Sequence, residues 1–202
     1  MIKFSKFFSL SAILIALLGL IAVVGDYLVK HTNLHLFQAV FDNTTHAIIG
    51  GLTWFIFCLK YKNSNTLQSL AEVALCTIIS SMIDLDHFVA ARSLNLEDAT
   101  NLRYRPPLHC STFPLLTCIT LLLVSYQLGM SSLKRSTLII FAAFFTHHVR
   151  DATRRGFWMY PFGSTPPIPY AVYVGLTCSA PYVICFLHEL FKIKISGSEI
   201  EL

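Results

Sequence analysis

The chain has 202 residues and a formal net charge of +4, and 54% of its residues are hydrophobic while only 13% are charged. Soluble domains carry about 25% charged residues, so a mean hydropathy of +0.62 indicates a protein that lies in lipid. Six cysteines are too few for a disulfide scaffold of this length, and the dispersed Lys and Arg exclude nucleic acid as an expected partner. The expected partner is the lipid bilayer.

Three uncharged runs are long enough to cross a bilayer, whose hydrocarbon core of about 30 Å requires about 20 helical residues. They cover residues 7–25, 112–130 and 169–187. The first run exceeds the apolar core of an ordinary signal peptide, so we interpret it as a retained membrane helix. We therefore predict an N-terminal membrane helix within residues 1–30 and a last membrane helix at 169–191.

Three further apolar segments, at 46–61, 70–87 and 136–151, are shorter and end in polar residues. Such helices suit the interior of a bundle, where the polar ends find partners. The sequence thus predicts an all-α, polytopic membrane helix bundle of about six helices, three clearly spanning and three shorter and polar-ended. We expect residues 1–202 to form a single integral membrane domain of a multi-pass protein.

Ionisable residues gather in four short clusters near the ends of these segments, where each charge is costly unless it has a partner. Counting crossings from the first helix places all four clusters at the same end of the bundle. The clusters are His46, which follows Asp42; Asp84, Asp86 and His87; Arg103, Arg105 and His109; and His147, His148, Arg150 and Asp151, followed by Arg154 and Arg155.

The spacing within the clusters favours a shared metal site. Asp84 and His87 are three residues apart and His147 and Asp151 are four apart, so each pair can share a helix face. Imidazole and carboxylate ligands suit zinc, manganese or ferrous iron, and we expect a divalent metal, with zinc as the default. The predicted ligands are His46, Asp84, His87, His109, His147 and Asp151. The predicted catalytic residues are Asp86, Arg105 and Arg154, of which the arginines would bind phosphate or carboxylate oxygens.

Each cluster also has a structural interpretation. Asp151 can form ion pairs with Arg154 and Arg155 along its own helix. His46 can be an interfacial residue behind a Thr44 or Thr45 cap, and His109 and Arg105 can belong to a solvated loop. Asp84 and Asp86 fall in the predicted last turn of a helix, where the dipole disfavours anions, so they need either a metal or arginines from other clusters.

These residues also resemble a known pattern. It consists of a histidine, an Asp-x-Asp-His string, a His-Arg-x-x-Thr-His-Ser loop and a His-x-x-x-Asp helix followed by Thr, Gly and an aromatic-Pro block. From about residue 46 to 161 the chain resembles, distantly, the bacterial LexA-regulated inner-membrane metal-dependent hydrolases, and as a whole it resembles the vertebrate transmembrane protein 267 family. The resemblance is carried by the predicted metal ligands with Asp86, Arg105, Thr153, Gly156 and Pro161.

The resemblance implies a hydrolase-like metal-site core at 46–161 that acts on a phosphoester or a lipid head group. Tyr104, Leu108 and Cys110 stand where the pattern has His, Thr and Ser. Tyr104 favours the alternative, a non-catalytic structural or interaction protein that retains a polar or metal site. A transporter or proton relay would place polar residues at mid-membrane, whereas here they crowd one end.

Overall fold

A computed structural model describes residues 2–61 and 65–192, and within these ranges it contains helices but no strand. This confirms the all-α bundle predicted from the sequence. Six long helices and two short ones follow each other, with a 3-10 turn at Pro107–His109 before the sixth. They are α1 Ile2–His31, α2 His35–Lys60, α3 Thr66–Met82, α4 Leu85–Ala91, α5 Leu96–Thr100, α6 Thr112–Gln127, α7 Ser131–Arg155 and α8 Tyr170–Leu190.

In the part of the chain that the structure describes, three helical segments are long and apolar enough to cross a membrane: Leu10–His31, Thr66–Ala91 and Tyr170–Leu190. The first and third correspond to the predicted spans at 7–25 and 169–187. The predicted span at 112–130 is too long, because α6 has only 16 residues and the chain turns at Gly129, whose φ is 64°. At 1.5 Å per residue, α6 covers about 24 Å.

Helices α2 and α7 form the interior of the bundle, as predicted for two of the three shorter segments. Trp54 and Phe57 of α2 pack with Leu138 and Ala142 of α7 in one core cluster, and all four are fully buried. The interior position predicted for 70–87 is wrong, because α3 lies at the periphery. Its exposed apolar side chains, Leu67, Leu70, Leu75 and Ile78, form a face suited to lipid.

Two helix ends differ from the sequence prediction in ways that matter for the site. Helix α2 begins at His35, so His46 lies inside it, and the Thr45 hydroxyl donates to the Phe41 carbonyl 2.6 Å away instead of capping a helix start. Helix α3 ends at Met82 and α4 begins at Leu85. Asp86 therefore lies in the first turn of α4, where the helix dipole favours an anion, and the predicted last-turn position is wrong.

Polar contacts show that the alternate long helices α1, α3 and α7 run in the same direction. At one end of the bundle Arg135, early in α7, donates to Glu72, early in α3, at 2.7 Å. At the other end Arg150, late in α7, donates to Asp26, late in α1, at 2.8 Å. The four clusters of the sequence analysis all lie at this second end, as the count of crossings predicted.

Helices α2 and α3 approach each other closely at Gly50, and this approach helps to position the site. A Cβ at Gly50 would overlap the Ser80 hydroxyl and the Ser80 Cβ. We expect Gly50→Leu to lower the free energy of unfolding by about 1–3 kcal/mol, because the helices must move apart. Thermal unfolding in detergent measures this, with Gly175→Leu as the matched control, since a Cβ at Gly175 meets open space. Equal midpoints for both variants would contradict the prediction.

Candidate metal centre

The six residues predicted as metal ligands converge at one end of the bundle from four parts of the chain. His46 comes from α2, Asp84 and His87 from the start of α4, His109 from the 3-10 turn, and His147 and Asp151 from α7. His46, Asp84, His147 and Asp151 each offer one ligand atom within 4.8 Å of the others, and Asp84, His87 and His109 form a second such group.

Four side-chain atoms face one another at the centre of this cluster. The Nε2 atoms of His109 and His147 are 3.3 Å apart. Asp84 Oδ1 lies 3.4 Å from His109 Nε2 and 3.5 Å from His147 Nε2. Asp151 Oδ2 lies 3.2 Å from His109 Nε2 and 3.4 Å from His147 Nε2. Five of the six edges of a tetrahedron thus have nearly the same length.

These edge lengths match the ligand shell of a tetrahedral metal ion. The centre of a regular tetrahedron lies about 0.61 edge lengths from each corner, so edges of 3.2–3.5 Å correspond to about 2.0–2.1 Å from centre to atom. Zinc binds histidine nitrogen at about 2.0–2.1 Å and carboxylate oxygen at about 2.0–2.2 Å. Both the chemistry and the spacing of these donors therefore fit zinc.

The two histidines are oriented by hydrogen bonds on their far sides. His147 Nδ1 lies 3.0 Å from the Ser80 carbonyl oxygen, an acceptor, so Nδ1 carries the proton. His109 Nδ1 forms a hydrogen bond with Asp86 Oδ2 at 3.4 Å and is the natural donor to that carboxylate. Such outer contacts fix the tautomer of metal-binding histidines. In the neutral rings, both Nε2 lone pairs then point at the same position.

His46 and His87 border the four central atoms. His46 is 1% exposed, stacks on His147 with ring centroids 3.7 Å apart, and has its Nε2 3.4 Å from Asp151 Oδ1. Within the described part of the chain, neither His46 nitrogen makes a hydrogen bond, nor do His87 Nδ1 and Asp86 Oδ1. Three of these atoms do lie within 3.4 Å of an oppositely charged or ring atom, but buried polar atoms without a hydrogen bond are costly, and a cation among them would reduce that cost.

His109, in the 3-10 turn between helices, has a strongly perturbed pKa. Burial lowers the pKa of its imidazole, but hydrogen bonds to Asp151, Asp84 and Asp86 outweigh burial and raise the pKa to about 11. Without a metal, His109 is therefore protonated at neutral pH and supplies the positive charge between the carboxylates. A metal ion must displace this proton to reach Nε2.

This competition leads to a pH prediction. We expect zinc binding to release about one proton from His109 near neutral pH, and zinc affinity to rise with pH because fewer protons then compete for Nε2. Titration calorimetry in buffers of different ionisation enthalpy measures the protons released. A zinc affinity that does not change between mildly acidic and mildly alkaline buffer would contradict the prediction.

The three predicted catalytic residues lie around the cluster. Asp86, 7% exposed, contacts His109 and accepts a hydrogen bond from the Leu108 backbone amide at 2.7 Å. Arg105 donates to the carbonyl oxygens of Arg155 and Gly156 and so ties the loop to the end of α7. Arg154 binds both carboxylate oxygens of Asp42, at 3.1 and 2.5 Å.

The sequence placed His148 and Arg150 in one of the clusters but indicated no role for them, and both hold the site in place. His148 Nε2 lies 2.9 Å from the Leu108 carbonyl and so helps to fix the loop that carries His109. Arg150 is 1% exposed and links Asp26 of α1 to Asp42 of α2. The available signal was Asp26, a carboxylate at the end of an apolar run. It has no basic residue three positions away, and Lys30 lies four positions away.

Taken together, the apolar spanning segments and the buried histidine and carboxylate cluster define an α-helical integral membrane protein with a candidate metal centre at one end. The chain is 40% identical over 173 residues to Transmembrane protein 267 of Xenopus laevis, covering 82% of this chain and 77% of that protein. It is 41% identical to the Danio rerio protein of that name, covering 76% of this chain and 68% of that protein. It is 36% identical to the Mus musculus protein of that name, covering 86% of this chain and 80% of that protein. The chain belongs to the transmembrane protein 267 family.

No family model matches the chain. No solved structure matches it either. The resemblance to the bacterial hydrolases is not shown by these comparisons and stays a prediction from the motif residues.

Proposed function

We propose that this protein is a multi-pass membrane protein that binds a divalent metal, by preference zinc, and uses it to hydrolyse a phosphoester or a lipid head group. The observation that carries the proposal is the set of five distances of 3.2–3.5 Å that join His109 Nε2 and His147 Nε2 to each other and to Asp84 Oδ1 and Asp151 Oδ2. The motif shared with the bacterial hydrolases supports the same reaction class.

The residues of the chain have separable roles in this proposal. Asp84, His109, His147 and Asp151 would hold the metal, with His46 and His87 beside them. When bound, zinc supplies a water of lowered pKa, and hence a hydroxide nucleophile near neutral pH. Asp86 acts through His109, because it holds the Nδ1 proton and the loop amide of Leu108. Arg105 holds the same loop against α7.

A non-catalytic membrane protein that keeps the metal for stability is the second candidate. Tyr104, which replaces the first histidine of the loop motif, is 65% exposed, and its hydroxyl donates to the Ala90 carbonyl at 3.4 Å. Its side chain therefore supplies none of the cluster contacts described above. The replacement of Thr by Leu108 is less informative, since Leu108 contacts the site through its backbone.

Metal analysis and an activity assay on one preparation test the proposal. We expect the detergent-purified protein to contain about one zinc per chain, and Asp84→Asn combined with Asp151→Asn to contain none. Glu97→Gln serves as the matched control, since it removes an exposed carboxylate outside the cluster. The absence of stoichiometric metal in the unmodified protein overturns the metal site.

Phosphate release from phosphoesters by the zinc-loaded protein then separates the two candidates. Release that disappears in the double variant supports the hydrolase. Stoichiometric zinc without release from any ester, combined with a large loss of thermal stability on chelation, supports the non-catalytic alternative.

A further inference from the structure

A cavity of about 450 Å³ opens beside the candidate metal centre. Asp84, His87, His109 and Asp151 lie in its wall, so the two features form one continuous site. Cavities of about 300–1,000 Å³ hold ligands of the size of ordinary organic molecules. The site therefore has room for a substantial organic group beyond a phosphate held at the metal centre.

The part of the cavity away from the cluster is apolar. Its walls come from the first turns of α2, from α4 and α5, and from the loop that follows α5. The apolar lining includes Leu36, Val40, Phe88, Leu96, Ala99 and Leu102. An apolar wall of this kind favours a hydrocarbon group, because water is released when the two surfaces meet.

Part of the exposed lining of the cavity is also apolar. Leu36 and Val40 line the cavity and remain 62% and 46% exposed, and their neighbours Leu34 and Phe37 are 60% and 47% exposed. These residues follow closely after the candidate span Leu10–His31. An exposed apolar patch next to a membrane span indicates contact with lipid, so a hydrocarbon chain can enter from the bilayer.

Three arginines line the cavity, and among the residues that the structure describes only Arg155 is unpaired. Arg154 is bound to Asp42, and Arg105 donates to two backbone carbonyls. Across residues 2–61 and 65–192, the exposed side chain of Arg155 makes no hydrogen bond and no ion pair. A guanidinium group with all its donors available is suited to bind phosphate in bidentate fashion.

We propose that the ligand of this cavity is a phosphate ester of an apolar, long-chain alcohol, with its chain between α2 and α4–α5 and its phosphate bound by Arg155. This inference rests on the proposed function and names its substrate class. In the reaction, the oxygen of water bonds to phosphorus and the bond from phosphorus to the alcohol oxygen breaks. The alcohol oxygen takes up a proton, so the products are inorganic phosphate and the free alcohol.

Binding of phosphonates tests the ligand separately from hydrolysis, because their carbon-phosphorus bond is not cleaved by water. We expect zinc-supplied protein in amphipol to bind dodecylphosphonate at least about tenfold more tightly than methylphosphonate. Burial of a few methylene groups is enough to produce a tenfold difference in affinity. Val40→Asn should remove this preference. Val24→Asn should keep it, because Val24 has a similar exposure of 45% but lies on α1, outside the cavity lining.

Two measurements test the phosphate half of the ligand. Arg155→Gln should weaken binding of both phosphonates by about tenfold. Dodecanol, which lacks the phosphonate group, should bind more weakly than dodecylphosphonate. Equal binding of the two phosphonates, or equal binding of dodecanol and dodecylphosphonate, overturns the inference. If dodecylphosphonate binds as expected but dodecyl phosphate is not hydrolysed, the ligand class stands and the proposed hydrolase activity fails. If only water-soluble phosphate esters are hydrolysed, the activity stands and the ligand class fails.

Discussion

Replacement of Asp151 by Asn is expected to lower the zinc affinity of the purified protein by more than about a hundredfold. Asp151 Oδ2 lies 3.2 Å from His109 Nε2 and 3.4 Å from His147 Nε2, and Oδ1 lies 3.4 Å from His46 Nε2. The substitution removes a charge from the centre, and the amide can present N–H groups to the cation. Titration of the chelator-treated protein with zinc measures the loss.

A graded series distinguishes direct ligands from residues that position them. His147→Ala should behave like Asp151→Asn, because His147 supplies one of the four central atoms. Asp86→Asn should cost only about 10–100-fold in zinc affinity, the usual effect of changing an outer-shell partner. Glu97→Gln should leave zinc binding unchanged. Tight zinc binding that survives in both Asp151→Asn and His147→Ala would show that the metal is held elsewhere.

The residues of the site were predictable because their spacing is local. Helical periodicity alone pairs Asp84 with His87 and His147 with Asp151, and the count of crossings brings the pairs to one end of the bundle. The hydrogen bond from His147 Nδ1 to the Ser80 carbonyl was not predictable, because it depends on the close packing of α3 against α2 at Gly50. No side-chain pattern identifies a backbone acceptor.

The fold was predictable in type and less so at its boundaries. Charge content and apolar runs indicate a membrane bundle of about six helices, and residues 2–61 and 65–192 contain six long helices. The sequence placed the start of α2 at His46, behind a possible Thr44 or Thr45 cap. In the structure, Asp42 lies inside the helix and binds Arg150 and Arg154. A charge whose partner lies more than a hundred residues away along the chain carries no local signal.

Replacement of Arg150 by Met is expected to cost about 3–5 kcal/mol of unfolding free energy, because it leaves carboxylates without their buried partner. The Arg150 guanidinium is 1% exposed and donates to Asp26 Oδ1 at 2.8 Å and to Asp42 Oδ1 at 2.5 Å. Asp42 retains Arg154 in the variant, but no other ion pair involving Asp26 is formed among residues 2–61 and 65–192. Reversible denaturant unfolding in detergent micelles measures the difference.

Two further variants show whether the cost arises from the unpaired Asp26. Arg150→Met combined with Asp26→Leu should recover part of the lost stability, because the uncompensated charge is removed together with its partner. Arg154→Gln should cost less than about 1 kcal/mol, since the Arg154 side chain is 46% exposed and solvent weakens its ion pair. If Arg150→Met costs no more than Arg154→Gln, the network does not hold α1 and α2 against α7. If Arg150→Met lowers the free energy of unfolding as much as expected, the zinc affinity should fall as well. The reason is that Arg150 immediately precedes Asp151 and fixes the segment of α7 that carries this ligand.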